Sequence, residues 1–167
     1  MRTRKIIHTL FLFFCFHHLN AQQNHTDTDH TDTEGHHHHH NEIGIAMAPV
    51  YFVKEEAFSY GLHLHYLHNL GESKFGLGAG YERLFDEHGH NTLGLIAGYR
   101  PLDRLSFMLS PGVTFEDEEP GELNFALHLE SAYEFQVNHI HLGPVLELAY
   151  DPEDFHISLG IHIGYGF

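Results

Sequence analysis

The alternation at the C-terminal end of the chain constrains the fold more strongly than any other feature of the sequence. From Phe155 to Phe167 every odd position is large and apolar, whereas every even position is histidine, serine or glycine. Successive side chains of a β-strand point to opposite faces of the strand. The stretch therefore predicts a strand with one apolar face and one small or polar face.

The same two-residue period recurs upstream. Turn signals such as Gly71-Glu72-Ser73 and Asp151-Pro152-Glu153-Asp154 separate the alternating segments. The predicted strands cover residues 42–53, 56–70, 74–85, 91–102, 105–117, 122–137, 139–151 and 154–167. Because short turns join these segments, the sequence predicts an all-β chain of eight antiparallel strands.

The bulk of the apolar face decides which face meets water. The interior of an eight-stranded barrel has room for a modest core or one small ligand, and the apolar face carries more large side chains than that space holds. The prediction is therefore an eight-stranded antiparallel up-and-down transmembrane β-barrel whose apolar residues meet lipid. A soluble barrel with the faces reversed is the alternative, and its interior would be overfilled.

The N-terminal segment has the pattern of a secretory signal peptide. Basic residues precede an apolar run over 6–16, and Ala21 supplies a small residue for cleavage before Gln22. We therefore expect residues 1–21 to be removed on export. Cys15 is the single cysteine of the chain and lies in this segment, so the exported protein is expected to form no disulfide.

A histidine-rich segment follows the signal peptide. Residues 22–41 contain no aliphatic or aromatic side chain, which predicts a disordered tail ahead of a barrel over 42–167. Its imidazoles, with neighbouring carboxylates, suit Zn(II), Cu(II) or Ni(II). The predicted tail ligands are His25, His30, His36, His37, His38, His39 and His40. We interpret the histidine run as native because it follows a Thr-Asp repeat that already contains histidines.

A second set of candidate ligands is predicted inside the barrel. Histidines two positions apart on a strand point the same way, and the turn before the seventh strand should bring His139, His141, Glu134 and His162 together near the mouth beside the tail. The predicted lumenal ligands are His63, His65, His128, Glu134, His139, His141 and His162. A hydrogen-bonded plug of these groups with Arg100 would need no metal, and this alternative stays open.

The net charge of the exported chain limits the classes of partner that it is expected to bind. All 23 Asp and Glu residues lie beyond residue 21, against five Lys and Arg residues, which leaves a formal net charge of −18 with histidine neutral. Such a chain is not expected to bind nucleic acid, and metal cations are plausible partners.

Aromatic residues collect near the ends of the predicted strands. Tyr51 and Phe115 belong to one rim, Tyr66 and Tyr99 belong to the other, and the chain ends in "GYGF". In strand number, dyad pattern and this ending the chain resembles the small eight-stranded outer-membrane barrels of Gram-negative bacteria, such as the OmpA transmembrane domain, OmpX and OmpW. The resemblance implies a monomer in the bacterial outer membrane with both termini periplasmic. It also implies outer-membrane lipid and the outer-membrane assembly machinery as partners.

Three classes of function fit this barrel. The first is a non-enzymatic protein that binds divalent Zn, Cu or Ni through the tail and the lumen, with no metal required for folding. The second is a structural or adhesive barrel whose histidines are incidental. The third is a lipid-modifying enzyme, which would need a Ser/His/Glu constellation facing lipid, where Ser131, His68 and Arg83 are the obvious polar residues. The first class is favoured.

Overall fold

The structure, a computed structural model, describes residues 39–167. Two-residue alternation produces strands throughout this part of the chain. They are β1 (Asn41–Phe52), β2 (Ala57–Asn69), β3 (Phe75–Leu84), β4 (Asn91–Leu102), β5 (Leu105–Phe115), β6 (Asn124–Tyr133), β7 (Phe135–Val137), β8 (Ile140–Tyr150) and β9 (Phe155–Gly166). The predicted signal peptide and the tail up to residue 38 lie outside the described residues.

The strands form one closed antiparallel barrel. Each strand from β1 to β5 pairs with the next, β9 pairs with both β1 and β8, and β8 pairs with β6 and β7. The segments β6 and β7 are two parts of one strand interrupted at Glu134. The predicted fold, an eight-stranded up-and-down barrel, is confirmed.

The interruption at Glu134 coincides with a close approach of the neighbouring strand. A Cβ atom at Gly143 of β8 would lie 1.8 Å from the Tyr133 carbonyl oxygen. Glycine is the only residue that permits this approach. The amide of Glu134 instead donates to the Arg104 carbonyl oxygen at 2.8 Å, and its side chain is buried.

The first strand begins one residue before the boundary expected from the sequence. Asn41, which we assigned to the tail, begins β1 because its backbone closes the barrel against the C-terminus. The Asn41 amide donates to the Phe167 carbonyl oxygen at 3.0 Å, and the Phe167 amide donates to the Asn41 carbonyl oxygen at 2.9 Å. The last residues of the histidine-rich segment therefore belong to the rim of the barrel.

The two ends of the barrel differ in their connections. The loop end carries turns 53–56, 85–90, 116–123 and 151–154. The terminal end carries the start of β1, the end of β9 and turns 70–74, 103–104 and 138–139. The turns at the loop end are rich in Asp and Glu residues.

The orientation of the two faces agrees with the sequence prediction. Large apolar side chains point outward, and Phe58 and Leu95 are 77% and 71% exposed. None of the described residues belongs to a helix that is long and apolar enough to span a membrane. The interior also contains larger apolar side chains than we expected, in two clusters: Val50, Phe52 and Leu84, and Leu67, Ile96 and Met108.

Candidate metal centre

The inward face of the barrel concentrates ionisable side chains. They comprise five glutamates (Glu42, Glu82, Glu130, Glu134 and Glu147), six histidines (His63, His65, His128, His141, His156 and His162) and Arg100. The glutamates and histidines are all buried. These groups therefore include five carboxylates and one guanidinium. Buried charges without partners are costly, so protons or cations must balance the excess.

Three of these side chains form what we call the terminal site: Glu42 on β1, His65 on β2 and His162 on β9. Each offers one ligand atom, and the three atoms lie within 4.8 Å of one another. His65 Nε2 lies 3.6 Å from Glu42 Oε1, and the two imidazole rings stack at 5.1 Å between centroids. Ligand atoms of a tetrahedral zinc site lie roughly 3.4 Å apart, so little movement would place a metal ion among them.

Gly44 makes room for the two rings of the terminal site. It pairs with His65 on one side and with Gly164 on the other. A Cβ atom at Gly44 would lie 2.4 Å from His65 Nε2 and 2.5 Å from His162 Nε2. Both nitrogens therefore face the space that the missing side chain leaves.

Neighbouring polar groups hold the terminal site. Arg100 donates to Glu42 Oε2 at 3.0 Å, which leaves Glu42 Oε1 directed toward His65. His162 Nδ1 lies 2.7 Å from Glu134 Oε1, although this contact departs from hydrogen-bond geometry. Ser106 donates to the other oxygen of Glu134 at 3.3 Å. A carboxylate beside the distal ring nitrogen is the usual second-shell partner of a metal-binding histidine.

The terminal site is not satisfied by protein hydrogen bonds. Both ring nitrogens of His65 and the Nε2 nitrogen of His162 are buried and lack a hydrogen-bond partner, as does His141 Nε2. His162 is fully buried and His65 is 4% exposed. Unsatisfied buried polar atoms are rare in folded proteins, and metal coordination would satisfy a nitrogen of each ring.

The structure brings some of the predicted ligands together inside the barrel and leaves others outside it. Glu134 and His162 come together as the sequence analysis expected. His139, however, is exposed in the turn after Asn138, so the expectation that it enters the lumen with His141 is wrong. Val137 pairs with Ile140, so Asn138, with φ 57°, and His139 form a two-residue turn and β8 starts after His139.

The end of the histidine-rich segment lies at the terminal end of the barrel. The His39 ring lies 4.6 Å from the His139 ring and 6.2 Å from the His141 ring, measured between centroids. His139 also contacts the Gly166 carbonyl oxygen through Nδ1 at 3.1 Å. The predicted ligands His25, His30, His36, His37 and His38 lie outside the described residues.

A second group of side chains, the mid-barrel cluster, contains His63, Glu82, His128, Glu130 and Glu147. His63 Nδ1 lies 3.0 Å from Glu130 Oε2, and His128 Nδ1 lies 2.6 Å from Glu147 Oε1. His63 and His128 were predicted as ligands, whereas the three glutamates were not. The alternation of inward and outward residues along each strand places these glutamates inside the barrel. Glu82, for example, continues the inward-facing series of glycines at 76, 78 and 80.

The loop end holds a third group, formed by His90, Glu116 and Glu153. His90 also contacts Asp86 through Nδ1 at 2.5 Å. The hydrogen bond with Asp86 raises the pKa of His90 to about 9, against the opposing effect of burial. Burial alone would raise the pKa of Asp86, but the bond to His90 lowers it.

The loop end should therefore lose stability at alkaline pH. Protonated His90 stabilises the loop fully below its unfolded pKa of about 6.5, and this contribution is lost as the pH rises through about 9. The amides of Gly89 and His90 donate to Asp86 Oδ1, so their protection against hydrogen exchange, corrected for intrinsic rates, should fall over this window. Asp86→Asn should shift the transition to lower pH, and unchanged protection from pH 6.5 to 10 would contradict the assignment.

Comparisons with known proteins identify the fold. No protein-family model matches the chain, and no curated protein matches it. The crystal structure of Neisserial surface protein A matches with a TM-score of 0.57 and 11% identity, over 76% of this chain and 96% of that chain. A de novo designed transmembrane β-barrel matches with a TM-score of 0.53 and 10% identity, over 74% and 94%. The solution structure of the designed barrel TMB2.3 matches with a TM-score of 0.51 and 14% identity, over 77% and 94%.

Proposed function

We propose that this eight-stranded transmembrane β-barrel is a non-enzymatic bacterial outer-membrane protein that binds a divalent transition-metal ion at the terminal site. Glu42, His65 and His162 are the ligands. Two imidazoles and one carboxylate suit Zn(II) and also accept Ni(II) or Cu(II). His39 and His40, the described end of the histidine-rich segment, offer further imidazoles at the same end of the barrel.

One observation carries this proposal. His65 Nε2 and His162 Nε2 are buried without hydrogen-bond partners, and they lie with Glu42 Oε1 around the space above Gly44. A plug evolved only to fill the lumen would be expected to satisfy these atoms. Glu134 beside His162 and Arg100 beside Glu42 would orient the ligands when metal is bound.

The outer-membrane location is supported by the closed barrel and its apolar outer face. Closure leaves no unpaired strand edge in hydrocarbon. With the termini in the periplasm, as in the small barrels that the chain resembles, the terminal site would open toward the periplasm and the acidic loops would face outward. Insertion would then require the outer-membrane assembly machinery.

A structural or adhesive barrel is the second candidate. The pairs His63 with Glu130 and His128 with Glu147 are hydrogen-bonded, as a polar plug requires. In that case the histidines of the tail and of the lumen would bind metal only incidentally. The two candidates differ in whether the lumen binds metal when the tail cannot.

Zinc titration of a chain with an inactivated tail tests the proposal. In this variant His25, His30, His36, His37 and His38 are replaced by asparagine, and the folded protein in detergent is titrated calorimetrically. We expect tight zinc binding that includes the terminal site, and His162→Gln should weaken that site by more than about 100-fold because loss of a ligand exceeds the effect of losing a second-shell partner.

His68→Gln is the matched control for this titration. His68 lies at the same end of the barrel but points outward and is exposed, so its replacement should leave zinc affinity unchanged. If all zinc binding disappears with the tail histidines, the lumen is a polar plug and the proposal is wrong.

A further inference from the structure

The mid-barrel cluster consists of two ligand groups that share one carboxylate. His63, Glu130 and Glu147 each bring one ligand atom within 4.8 Å of the others, and Glu82, His128 and Glu147 do the same. The side chains come from β2, β3, β6 and β8 and converge across the lumen. Glu147 is thus the common member of two separate three-residue groups.

The charges in the cluster do not balance. Three carboxylates face two imidazoles, and all five residues are less than 9% exposed. Even with both rings protonated, one negative charge is left without a partner inside the cluster. Among the groups packed around it, His156 beside His128 could offset that charge only by taking up a proton while buried, and Asp151 at the loop end would add to it.

Two carboxylate oxygens of the cluster have no hydrogen-bond partner in the protein. Glu82 Oε2 and Glu130 Oε1 are buried and have no hydrogen-bond partner. Glu82 Oε2 lies 3.4 Å from His128 Nδ1, but that nitrogen already contacts Glu147 Oε1 at 2.6 Å. Each group therefore contains an imidazole nitrogen, an oxygen of the shared Glu147 and an oxygen of a second carboxylate.

The cluster also borders a small cavity. A space of about 10 Å³ is lined by His63, Glu82, Glu130 and Glu147, which is about the size of one water position. A metal ion bound at Nδ1 of either histidine would replace the proton that now lies between the ring and its carboxylate. The ring would then carry its single proton on Nε2, and the metal would take over the bond to the carboxylate oxygen. Two such ions bring four positive charges against three carboxylates, and one hydroxide held in the cavity would restore neutrality.

We infer that the mid-barrel cluster binds two divalent cations bridged by the Glu147 carboxylate. His63 and Glu130 complete the ligands of one ion, and Glu82 and His128 complete those of the other. Mixed imidazole and carboxylate ligands suit first-row ions such as Mn(II) and Fe(II). Two ions that share a carboxylate lie about 3.5–4 Å apart in known two-metal sites. This site is separate from the terminal site and does not depend on it.

Electron paramagnetic resonance of the full-length protein loaded with Mn(II) tests the inference. Two Mn(II) ions bridged by a carboxylate are magnetically coupled, whereas an isolated ion at the tail or at the terminal site gives an uncoupled six-line spectrum. We expect a coupled signal in the wild-type protein and its loss in Glu147→Gln. Glu130→Gln is the second variant, in case Glu147→Gln does not fold, and gel mobility of the unheated protein reports folding.

Two further variants complete the experiment. Ser158 donates to Glu147 Oε2 at 3.3 Å but is not a ligand, so Ser158→Ala should retain the coupled signal. His162→Gln should also retain it, which separates this inference from the fate of the terminal site. Only uncoupled Mn(II), no bound Mn(II), or a coupled signal that survives the loss of Glu147 or Glu130 would overturn the two-ion site.

Discussion

Replacing Gly44 by alanine should abolish zinc binding at the terminal site and lower the free energy of unfolding by about 1–3 kcal/mol, the usual cost of overpacking a core. The new Cβ would lie 2.3 Å from His65 Cε1 and 2.5 Å from His162 Nε2. Both rings must then turn away, and their nitrogens no longer converge with Glu42. Zinc titration of the tail-inactivated protein and urea unfolding in detergent measure the two effects.

Gly121→Ala is the matched control for this substitution. A Cβ atom at Gly121 has no heavy atom within 4 Å, so the same chemical change should leave both zinc affinity and stability unaltered. Tight zinc binding by Gly44→Ala, with a wild-type unfolding curve, would show that the two rings do not define the site.

Replacing Arg100 by methionine should destabilise the metal-free barrel strongly. Arg100 lies 3.0 Å from Glu42 and 3.6 Å from Glu134, and both carboxylates are buried. Breaking a fully buried ion pair costs about 3–5 kcal/mol. The Arg100 side chain is 27% exposed, so we expect a loss of about 2 kcal/mol. Zinc should restore part of it, because the ion supplies Glu42 with a positive partner and binds only the folded protein.

Urea unfolding with and without zinc measures this effect, and Arg104→Met provides the comparison. Arg104 lies near the same end of the barrel and over the Phe135 ring on the outer surface, 5.6 Å from its centroid. Its loss should change stability little, with no dependence on zinc. Equal destabilisation of Arg100→Met in the presence and absence of zinc would mean that no cation reaches Glu42.

The fold was predictable because the side-chain period of a strand is short and local. Each segment shows which of its residues share a face, and the amount of apolar bulk assigns that face to lipid. The alternation along β3 also places Glu82 inside the barrel, although Glu82 was not among the predicted ligands. Turn bounds were less predictable, since His139 forms the turn with Asn138 and does not begin the next strand.

The candidate sites were only partly predictable because they depend on contacts across the lumen. His63 on β2 meets Glu130 on β6, yet these strands are not neighbours in the sheet. Parity places both residues inside but does not give their depth, which depends on the stagger between strands and on side-chain conformation. Glu42 was missed for a related reason, since it lies at the edge of the polar segment that was assigned to the tail.

Zinc K-edge X-ray absorption of the tail-inactivated protein, loaded with one equivalent of zinc, tests the central claim most directly. Multiple scattering from imidazole rings counts the histidine ligands of the bound ion. The terminal site predicts two imidazoles, with nitrogen and oxygen ligands at about 2.0–2.2 Å, and loss of this spectrum in His162→Gln. Zinc held by three or more histidines, or a spectrum that His162→Gln leaves unchanged, would contradict a terminal site made of Glu42, His65 and His162.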